Sequence, residues 1–557
     1  MDASIPATPQ NASVRSRSTH AVTNQPPPLA PYDARANDAA LTDAYARFVG
    51  ADPSPQTTER LTEIGHLAGS EQARDWAFQA NRNPPVLRTH DRYGHRIDEV
   101  EFHPAWHTLM DQAVGFGMHG APWTSGEPDA HLTRAAGYYL WHQVEAGHCC
   151  PITMTYAAVP ALRASDELSA LWTPLLTARS YDPGLRAPAT KGGALAGMGM
   201  TEKQGGSDVR ANTTRAEATG DGTYVLTGHK WFCSAPMCDV FLVLAQAAGG
   251  LSCFVVPRVL PDGSRNPFAL QRLKDKLGNR SNASSEVEFD GTVGWLLGDE
   301  GRGVPTIIEM VAATRLDCVL GSAAQMRKAV AEATWHAAHR SAFGAVLADQ
   351  PAMTNVLADL AVEQEAATWL ALRLAHAVDA GEQAFLRLAL PLGKYLVCKR
   401  TPWLVAEALE CLGGNGYVED SGLPMLFRES PLNSLWEGSG SVQALDVLRA
   451  LQREPEALEA YLSEIGAARG ADARLDAATD EVLRSLADLE SLEFRARRMA
   501  ERLALVLQGS LLVRHAPAAV ADAFCASRLG RDAGGTFGTL PVGVDAKAIV
   551  ERATPRR

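Results

Sequence analysis

Apolar residues recur every three to four positions from about residue 36 to 190, for example Leu41, Tyr45 and Phe48, and later Ala135, Tyr138, Tyr139 and His142. That spacing lays one face of a helix against a core. Between 191 and 300 the period changes. Short runs rich in β-branched and aromatic side chains, at 223–226, 240–244, 253–256 and 287–289, alternate with turn formers such as Asp221-Gly222 and Ala248-Gly249-Gly250, the pattern of strands and turns. Helical spacing returns over 301–451, through Ile307, Met310 and Val311 and then Leu357, Leu360, Ala361, Leu370 and Leu374. The pattern predicts a mainly α chain with a central β-domain of barrel or sandwich type, followed by a helical bundle and a further helical domain over 452–557. Residues 1–35, polar and ending in Pro26-Pro27-Pro28 and Pro31, predict an extended N-terminal arm without a core of its own, of the kind that packs on a neighbouring subunit.

A length of 557 residues with 46% hydrophobic content demands several cores. The formal charge of −12 excludes a surface that binds polyanions all over, because such binding needs clustered Lys and Arg. A local basic patch remains open. Residues 451–490 carry 4 Lys+Arg against 10 Asp+Glu, whereas 491–557 carry 11 against 6. Within the second stretch Leu492, Met499, Leu503 and Val506 form one helical stripe flanked by Arg495, Arg498 and Arg502. These arginines read either as a nucleic-acid face or as solubilising groups beside a core helix. No apolar run approaches ~18 residues and no apolar leader opens the chain, so a cytoplasmic protein with no membrane contact is expected. Nine scattered cysteines read as small buried hydrophobes in a reducing compartment. The pairs His103/His107 and His336/His339 lack a third ligand nearby, so no metal is expected and partly exposed helix faces are the simpler account.

Two segments carry the candidate chemistry. Residues 198–209 offer closely spaced backbone N–H groups, the Thr201 hydroxyl and glycines that let backbone approach a flat ring and its pyrophosphate,. A plain Gly-rich turn would look similar. Residues 436–440 hold Glu437 among Gly438, Ser439 and Gly440, either as a proton-abstracting base or as a satisfied carboxylate in a tight turn. No G-x-G-x-x-G follows a strand, which leaves a nicotinamide domain unsupported.

The order helical domain, β-domain, helical domain, with Thr201-Glu202-…-Gly206-Ser207-Asp208, Lys230-Trp231-Phe232-Cys233-Ser234, Arg340-Ser341-Ala342-Phe343-Gly344 and Gly413-Gly414-Asn415-Gly416-Tyr417, resembles the acyl-CoA dehydrogenase flavoprotein family over roughly residues 60–450. The resemblance implies FAD as cofactor. Met198, Thr201, Gly206 and Ser207 would lie in its flavin loop and Phe232, Cys233 and Ser234 on the strand stacked against the ring. Arg340, Phe343, Gln350, Gly413 and Gly414 would reach the FAD of a neighbouring subunit, in a homotetramer, and Trp436, Gly438, Ser439 and Ser441 would border the cofactor around Glu437. It further implies an acyl-CoA substrate, an electron-transfer flavoprotein as partner, and Glu437 as the base. Thr314 stands at the position some members use for the base instead, and cannot serve. Trp436 replaces the usual Tyr and would narrow the acyl tunnel. Ser441 replaces an Asn or Gln that contacts FAD.

More specific strings at 102–107, 151–155, 197–209, 274–284 and 433–440 resemble the AidB branch, which belongs to the bacterial adaptive response to DNA alkylation and adds a DNA-binding C-terminal domain. This implies binding of double-stranded DNA, protection from alkylation damage, and weak or residual acyl-CoA dehydrogenase activity. The resemblance also carries over Arg449 as a DNA contact near the active-site entrance, with an ordinary salt-bridge arginine as the alternative. The competing expectation is a metabolic dehydrogenase of a short or branched acyl-CoA, with a tail used for oligomerisation.

Overall fold

The computed structural model describes residues 19–50, 53–486, 491–532 and 534–556. Helices α1 (Ala39–Phe48), α2 (Pro55–Ala68) and α3 (Glu71–Arg82) open the fold, and each starts where a side-chain oxygen satisfies an orphan amide: Asp38 accepts from Leu41, Ser54 from Thr57, Ser70 from Ala73,. A hairpin of β1 (Val86–His90) and β2 (Arg96–Glu101) interrupts the helices. The helical expectation missed it, because charged residues on both strands hide the period-two signal. Helices α4 (Pro104–Gly115), α5 (Pro122–Ser125), α6 (Ala130–His142), α7 (Cys149–Leu162) and α8 (Asp166–Leu176) complete this region.

Strands β3 (Ala196–Gly199), β4 (Arg215–Ala218), β5 (Thr223–Ser234), β6 (Val240–Ala247), β7 (Gly250–Pro257), β8 (Ala269–Leu273) and β9 (Ser284–Leu297) follow. They pair in the order β3-β6-β4-β5-β9-β7, and β7 returns to β6. The sheet therefore closes on itself, which settles the barrel against the sandwich.

The bundle is built on α9 (Gly303–His339), a miniature hairpin β10 (Ser341–Ala342) and β11 (Ala345–Val346), α10 (Pro351–Asp379), α11 (Gln383–Cys411), α12 (Gly414–Tyr417), α13 (Leu423–Glu429) and α14 (Gly440–Arg453). Helix α6 is bound to it by a buried bidentate pair from Arg134 to Asp317, which also accepts from Thr153 Oγ1 at 2.7 Å.

The tail comprises α15 (Pro455–Gly466), α16 (Ala473–Leu486), α17 (Ala496–His515), α18 (Ala518–Phe524) and α19 (Ala546–Ala553). Leu492, Met499, Leu503 and Val506 are buried as the stripe requires. The helix starts later than its pattern, however, so Leu492 and Arg495 lie in the turn before it. Part of the tail's positive charge is spent inside the fold. Arg528 reaches Asp359 and Glu363 at 2.5 and 3.0 Å, Arg552 reaches Asp43 and Glu365 at 2.6 and 3.0 Å, and Arg514 pairs with Glu464.

Residues 1–18 of the arm lie outside the described residues. The remainder packs on its own chain: Leu29 is buried against Ala331 and Trp335, and Trp335 Nε1 donates to the Pro27 carbonyl at 2.8 Å. All nine cysteines are free and buried. His103 accepts from the Ala105 amide as the cap of α4, while His107 Nδ1 meets the Tyr181 hydroxyl at 2.7 Å. Among the described residues no helix is long and apolar enough to cross a membrane, and no group of three or more His, Cys, Asp or Glu could hold a metal ion.

Candidate active site

Glu437 stands on a strained turn that the bundle holds in place. Its φ is 57°, a left-handed conformation that costs a non-glycine residue on the order of 1–3 kcal/mol unless its surroundings enforce it. Three successive carbonyls are gripped by side chains. Lys394 Nζ donates to Trp436 O at 2.7 Å and Gly438 O at 2.6 Å, while Glu437 O accepts from Arg315 Nε at 3.1 Å and Gln443 Nε2 at 2.9 Å. Gly438, at φ 93°, admits no side chain, since a Cβ would lie 2.6 Å from Gln443 Nε2. Arg315 is anchored in turn by Asp446 at 2.8 Å.

The carboxyl of Glu437 accepts from Thr314 Oγ1 at 2.7 Å. Burial pushes its pKa above the ordinary carboxylate value, and the Thr314 hydroxyl, Lys394 and Arg315 pull it back,. Thr314 is thus no substitute for the base but its hydrogen-bond donor. Trp436 is half-buried, with Nε1 donating to Asn433 Oδ1 at 2.9 Å. Ser439 precedes α14 and Ser441 is exposed on its first turn.

The loop after β3 is ordered by a residue to which the sequence reading gave no role. Glu202 is 1% exposed, and its carboxylate accepts from Lys230 Nζ at 2.8 Å, the Thr213 and Thr214 amides at 2.7 and 3.1 Å, and Gln204 Nε2 at 2.7 Å. Burial alone would raise its pKa, but Lys230 and these donors hold it well below the usual range,. Around this anchor Met198 and Thr201 are half-buried and Gly206 and Ser207 exposed, and a Cβ on Gly206 would lie 2.5 Å from Thr201 Oγ1. On β5 the pairing with β9 breaks between Lys230 and Cys233, which frees the backbone beside Phe232. That ring is 50% exposed and Ser234 half-buried, whereas the Cys233 side chain is fully buried. Alternation along the strand therefore leaves Cys233 its backbone to offer a ligand. An exposed ring, an interrupted ladder and a close-set glycine loop fit a flat cofactor.

Lys276 is a further addition. Its Nζ donates to Ser284 Oγ at 2.9 Å, and Ser284 Oγ lies 3.5 Å from Ser234 Oγ. Burial lowers its pKa to about 8.

The remaining cofactor candidates lie elsewhere. Arg315 and Arg340 are separated by 25 residues of α9, roughly 38 Å at a rise of about 1.5 Å per residue. Gly413 and Gly414 likewise follow the far end of α11, beyond Lys394. One chain cannot bring Glu437 and Arg340 to one point. Phe343 is 99% exposed at the tip of β10–β11, and Gln350 Nε2 braces that hairpin through Ala342 O at 2.7 Å. Gly414 has no positive φ, and a Cβ there would meet nothing within 4 Å. Nothing within the chain demands a glycine there, which fits approach by a group from outside.

The DNA candidates divide. Arg495 is tied to Ser491 Oγ at 2.7 Å and Ser485 O at 3.3 Å, so it braces a turn. Arg498 is exposed and Arg502 half-buried. Arg449 is 58% exposed, and its contact with Asp446 is long at 3.4 Å because that carboxylate already serves Arg315 and Arg387. Arg497, absent from the sequence expectation, reaches Tyr395 OH at 3.4 Å, and Tyr395 and Lys399 flank Gly440 just past Glu437.

Comparison with known proteins matches the description "adaptive response protein AidB N-terminal domain" to residues 24–183, the acyl-CoA dehydrogenase middle domain to 197–292 and its C-terminal domain to 301–452. The putative acyl-CoA dehydrogenase AidB of Escherichia coli (strain K12) is 46% identical over 514 residues, covering 91% of this chain and 94% of its own. Acyl-CoA dehydrogenase family member 11 of Caenorhabditis elegans is 30% identical over 516 residues, 86% of this chain and 82% of its own. The solved structure of C. elegans ACDH-11 in complex with C11-CoA superposes with a TM-score of 0.82 at 26% identity, over 98% of this chain and 96% of that one. Members of this family bind FAD. The chain belongs to the acyl-CoA dehydrogenase family of FAD-dependent oxidoreductases, in its AidB-like branch.

Proposed function

We propose that the protein carries out α,β-dehydrogenation of an acyl thioester at Glu437, and that this activity is a weak or residual one within an AidB-like protein that binds double-stranded DNA and limits its alkylation. The dehydrogenation reading is carried by one observation: a carboxylate with a raised pKa, on a turn whose three carbonyls are fixed by Lys394, Arg315 and Gln443, with Thr314 donating to it. FAD, when bound, would supply the acceptor for the hydride leaving Cβ. Glu437 removes the α-proton as the carboxylate, and Thr314 steadies that charged form before the proton moves. Trp436, half-buried next to Glu437, is a bulky side chain at the point where the acyl group would approach, which on this reading favours short or branched acyl groups. The test is α-hydrogen exchange from D2O into acyl-CoA esters of graded length, which reads proton abstraction apart from redox turnover. The wild type exchanges and Glu437→Gln does not; equal exchange by both overturns the assignment.

Met198, Thr201, Gly206, Ser207, Phe232 and Ser234 form the flavin-binding surface of one subunit in this reading. Arg340, Phe343, Gln350, Gly413 and Gly414 complete the site of a second, within a homotetramer, since the length of α9 separates them from Glu437.

The DNA reading draws support from exposed arginines near the Glu437 turn and on α17. Asp446 is shared by Arg315, Arg387 and Arg449, with Glu454 also pairing Arg387, and Arg449, Arg497 and Arg498 are exposed. With Arg502 this gives about four phosphate contacts and a log–log salt slope near −3.6, so affinity falls roughly a hundredfold between 50 and 200 mM salt. Removing the tail at 451 would strip buried apolar cover and the Arg528 pairs from the bundle, so the test is charge neutralisation. Changing Arg449, Arg497, Arg498 and Arg502 together to Gln abolishes binding to duplex DNA at ~50 mM salt on this reading. Retained binding overturns it and leaves the metabolic dehydrogenase.

A further inference from the structure

The arm residues Asn24 and Gln25 touch both segments that stand far from Glu437. Asn24 Oδ1 accepts from the Ser341 amide and Nδ2 donates to the Ser341 carbonyl, both at 2.8 Å, and the Asn24 carbonyl accepts from Arg340 Nη1 at 2.6 Å. One residue on, Gln25 Oε1 accepts from Asn415 Nδ2 at 3.3 Å. The arm is then fastened to α9 by the bond from Trp335 to Pro27 and the burial of Leu29. Asn24 has a φ of 57°, a conformation that Asn tolerates far better than bulkier residues, so the chain kinks at the residue that clamps the hairpin.

The clamped segments have few other supports. Strands β10 and β11 are two residues long, Phe343 is itself in the left-handed region at φ 53°, and the hairpin's other anchors are Gln350 Nε2 on Ala342 O and the Leu347 amide on Arg340 O at 2.8 Å. Nothing requires the arm for closing either turn, yet it contacts Arg340, Ser341 and Asn415 within two consecutive residues. We infer that the 24–29 arm is a clip that holds the Arg340 hairpin and the Gly413–Gly414 turn in one rigid half-site for the FAD of a second subunit, with Asn24 as the positioning residue. The inference rests on the shared-site reading above. With one Nη1 hydrogen committed to the Asn24 carbonyl, the guanidinium is pre-oriented and its other N–H groups remain for an acceptor on the cofactor.

Asn24→Gly keeps the left-handed backbone and deletes both side-chain bonds, while Asn24→Asp keeps the acceptor for the Ser341 amide and loses the donor. FAD dissociation constants of the full-length apoprotein, light-scattering mass with and without FAD, and apoprotein melting temperature are measured for both, with Arg340→Ala in parallel. Asn24→Gly is expected to weaken FAD binding on the order of tenfold at unchanged apoprotein melting temperature, with Asn24→Asp between it and the wild type. If Arg340→Ala weakens FAD binding and Asn24→Gly does not, the clip is overturned alone. If neither does, the shared-site reading falls and takes the clip with it. Weakened binding accompanied by a lowered apoprotein melting temperature also overturns it, since the arm would then serve packing only.

Discussion

Replacing Thr314 by Val removes the hydroxyl that donates to the Glu437 carboxyl while keeping a β-branched side chain of nearly the same shape in a site that is 1% exposed. The hydroxyl has one proton and two acceptors in reach, Glu437 Oε2 at 2.7 Å and Val311 O at 3.0 Å. The shorter contact to the chargeable group dominates. A hydrogen bond to a charged acceptor contributes about 1.5–3 kcal/mol, and one pKa unit corresponds to about 1.36 kcal/mol. The neutral acid would lose an ordinary hydrogen bond of about 0.5–1.5 kcal/mol, so the charged form loses about 1–1.5 kcal/mol more, and removing the hydroxyl raises the Glu437 pKa by roughly one unit, in the direction that burial already pushes it. Proton abstraction needs the ionised form, so the acidic limb of the rate profile moves to higher pH by about one unit, and the rate at a fixed pH on that limb falls about tenfold. The plateau at high pH stays close to that of the wild type. The assay is the pH dependence of flavin reduction by a saturating acyl-CoA in single turnover, with Thr314→Ser as the control that keeps the donor. An acidic limb that Thr314→Val leaves in place would refute the reasoning, because the hydroxyl would then have no electrostatic hold on the base.

Glu202→Gln leaves the Lys230 ammonium, which is fully buried, without its counter-charge, at a cost of about 3–5 kcal/mol. The loop around Thr201 and Gly206 loosens, and the protein is expected to purify with substoichiometric FAD; adding Lys230→Met restores stability measured by denaturant but not FAD content. Glu429 is buried near Glu145, and burial first, then that like charge, raises its pKa to about 7 from 4.5. The folded state therefore holds a proton that the unfolded state releases, and this stabilisation is present below about pH 4.5 and lost as pH rises through 7. Its size is about 3 kcal/mol over that window. Denaturant midpoints should fall between pH 5 and 8, and the fall should shrink in Glu429→Gln; an equal fall in both would remove Glu429 as its source.

The sequence made most of this architecture legible because its periods are strong where burial is one-sided. Strand β6, whose first six residues are all buried, announces itself as a continuous apolar run. The β1–β2 hairpin does not, since it carries Arg88, His90, Arg96 and Glu99 and buries little. The pairing of the tail arginines was hidden for a related reason. Counting charge along the chain cannot see that Arg514, Arg528 and Arg552 turn inward to acidic residues of other helices. The chemistry of Glu437 was readable as a motif, but its controls were not. Thr314, Arg315 and Lys394 lie 43 to 123 residues away in sequence, and only the register of α9 against α11 brings them to one turn. The Glu202 anchor was hidden differently, inside a motif whose glycines drew the attention and whose carboxylate points inward.

The most direct measurement of the central claim is anaerobic titration of the FAD-loaded protein with acyl-CoA esters, for the wild type and Glu437→Gln, following loss of the oxidised flavin absorbance. The account expects wild-type flavin to be bleached by at least one short or branched acyl-CoA, and the Glu437→Gln protein to retain full FAD content while its flavin stays oxidised. Bleaching of the variant at the wild-type rate would contradict the account, because a different group would then be removing the α-proton.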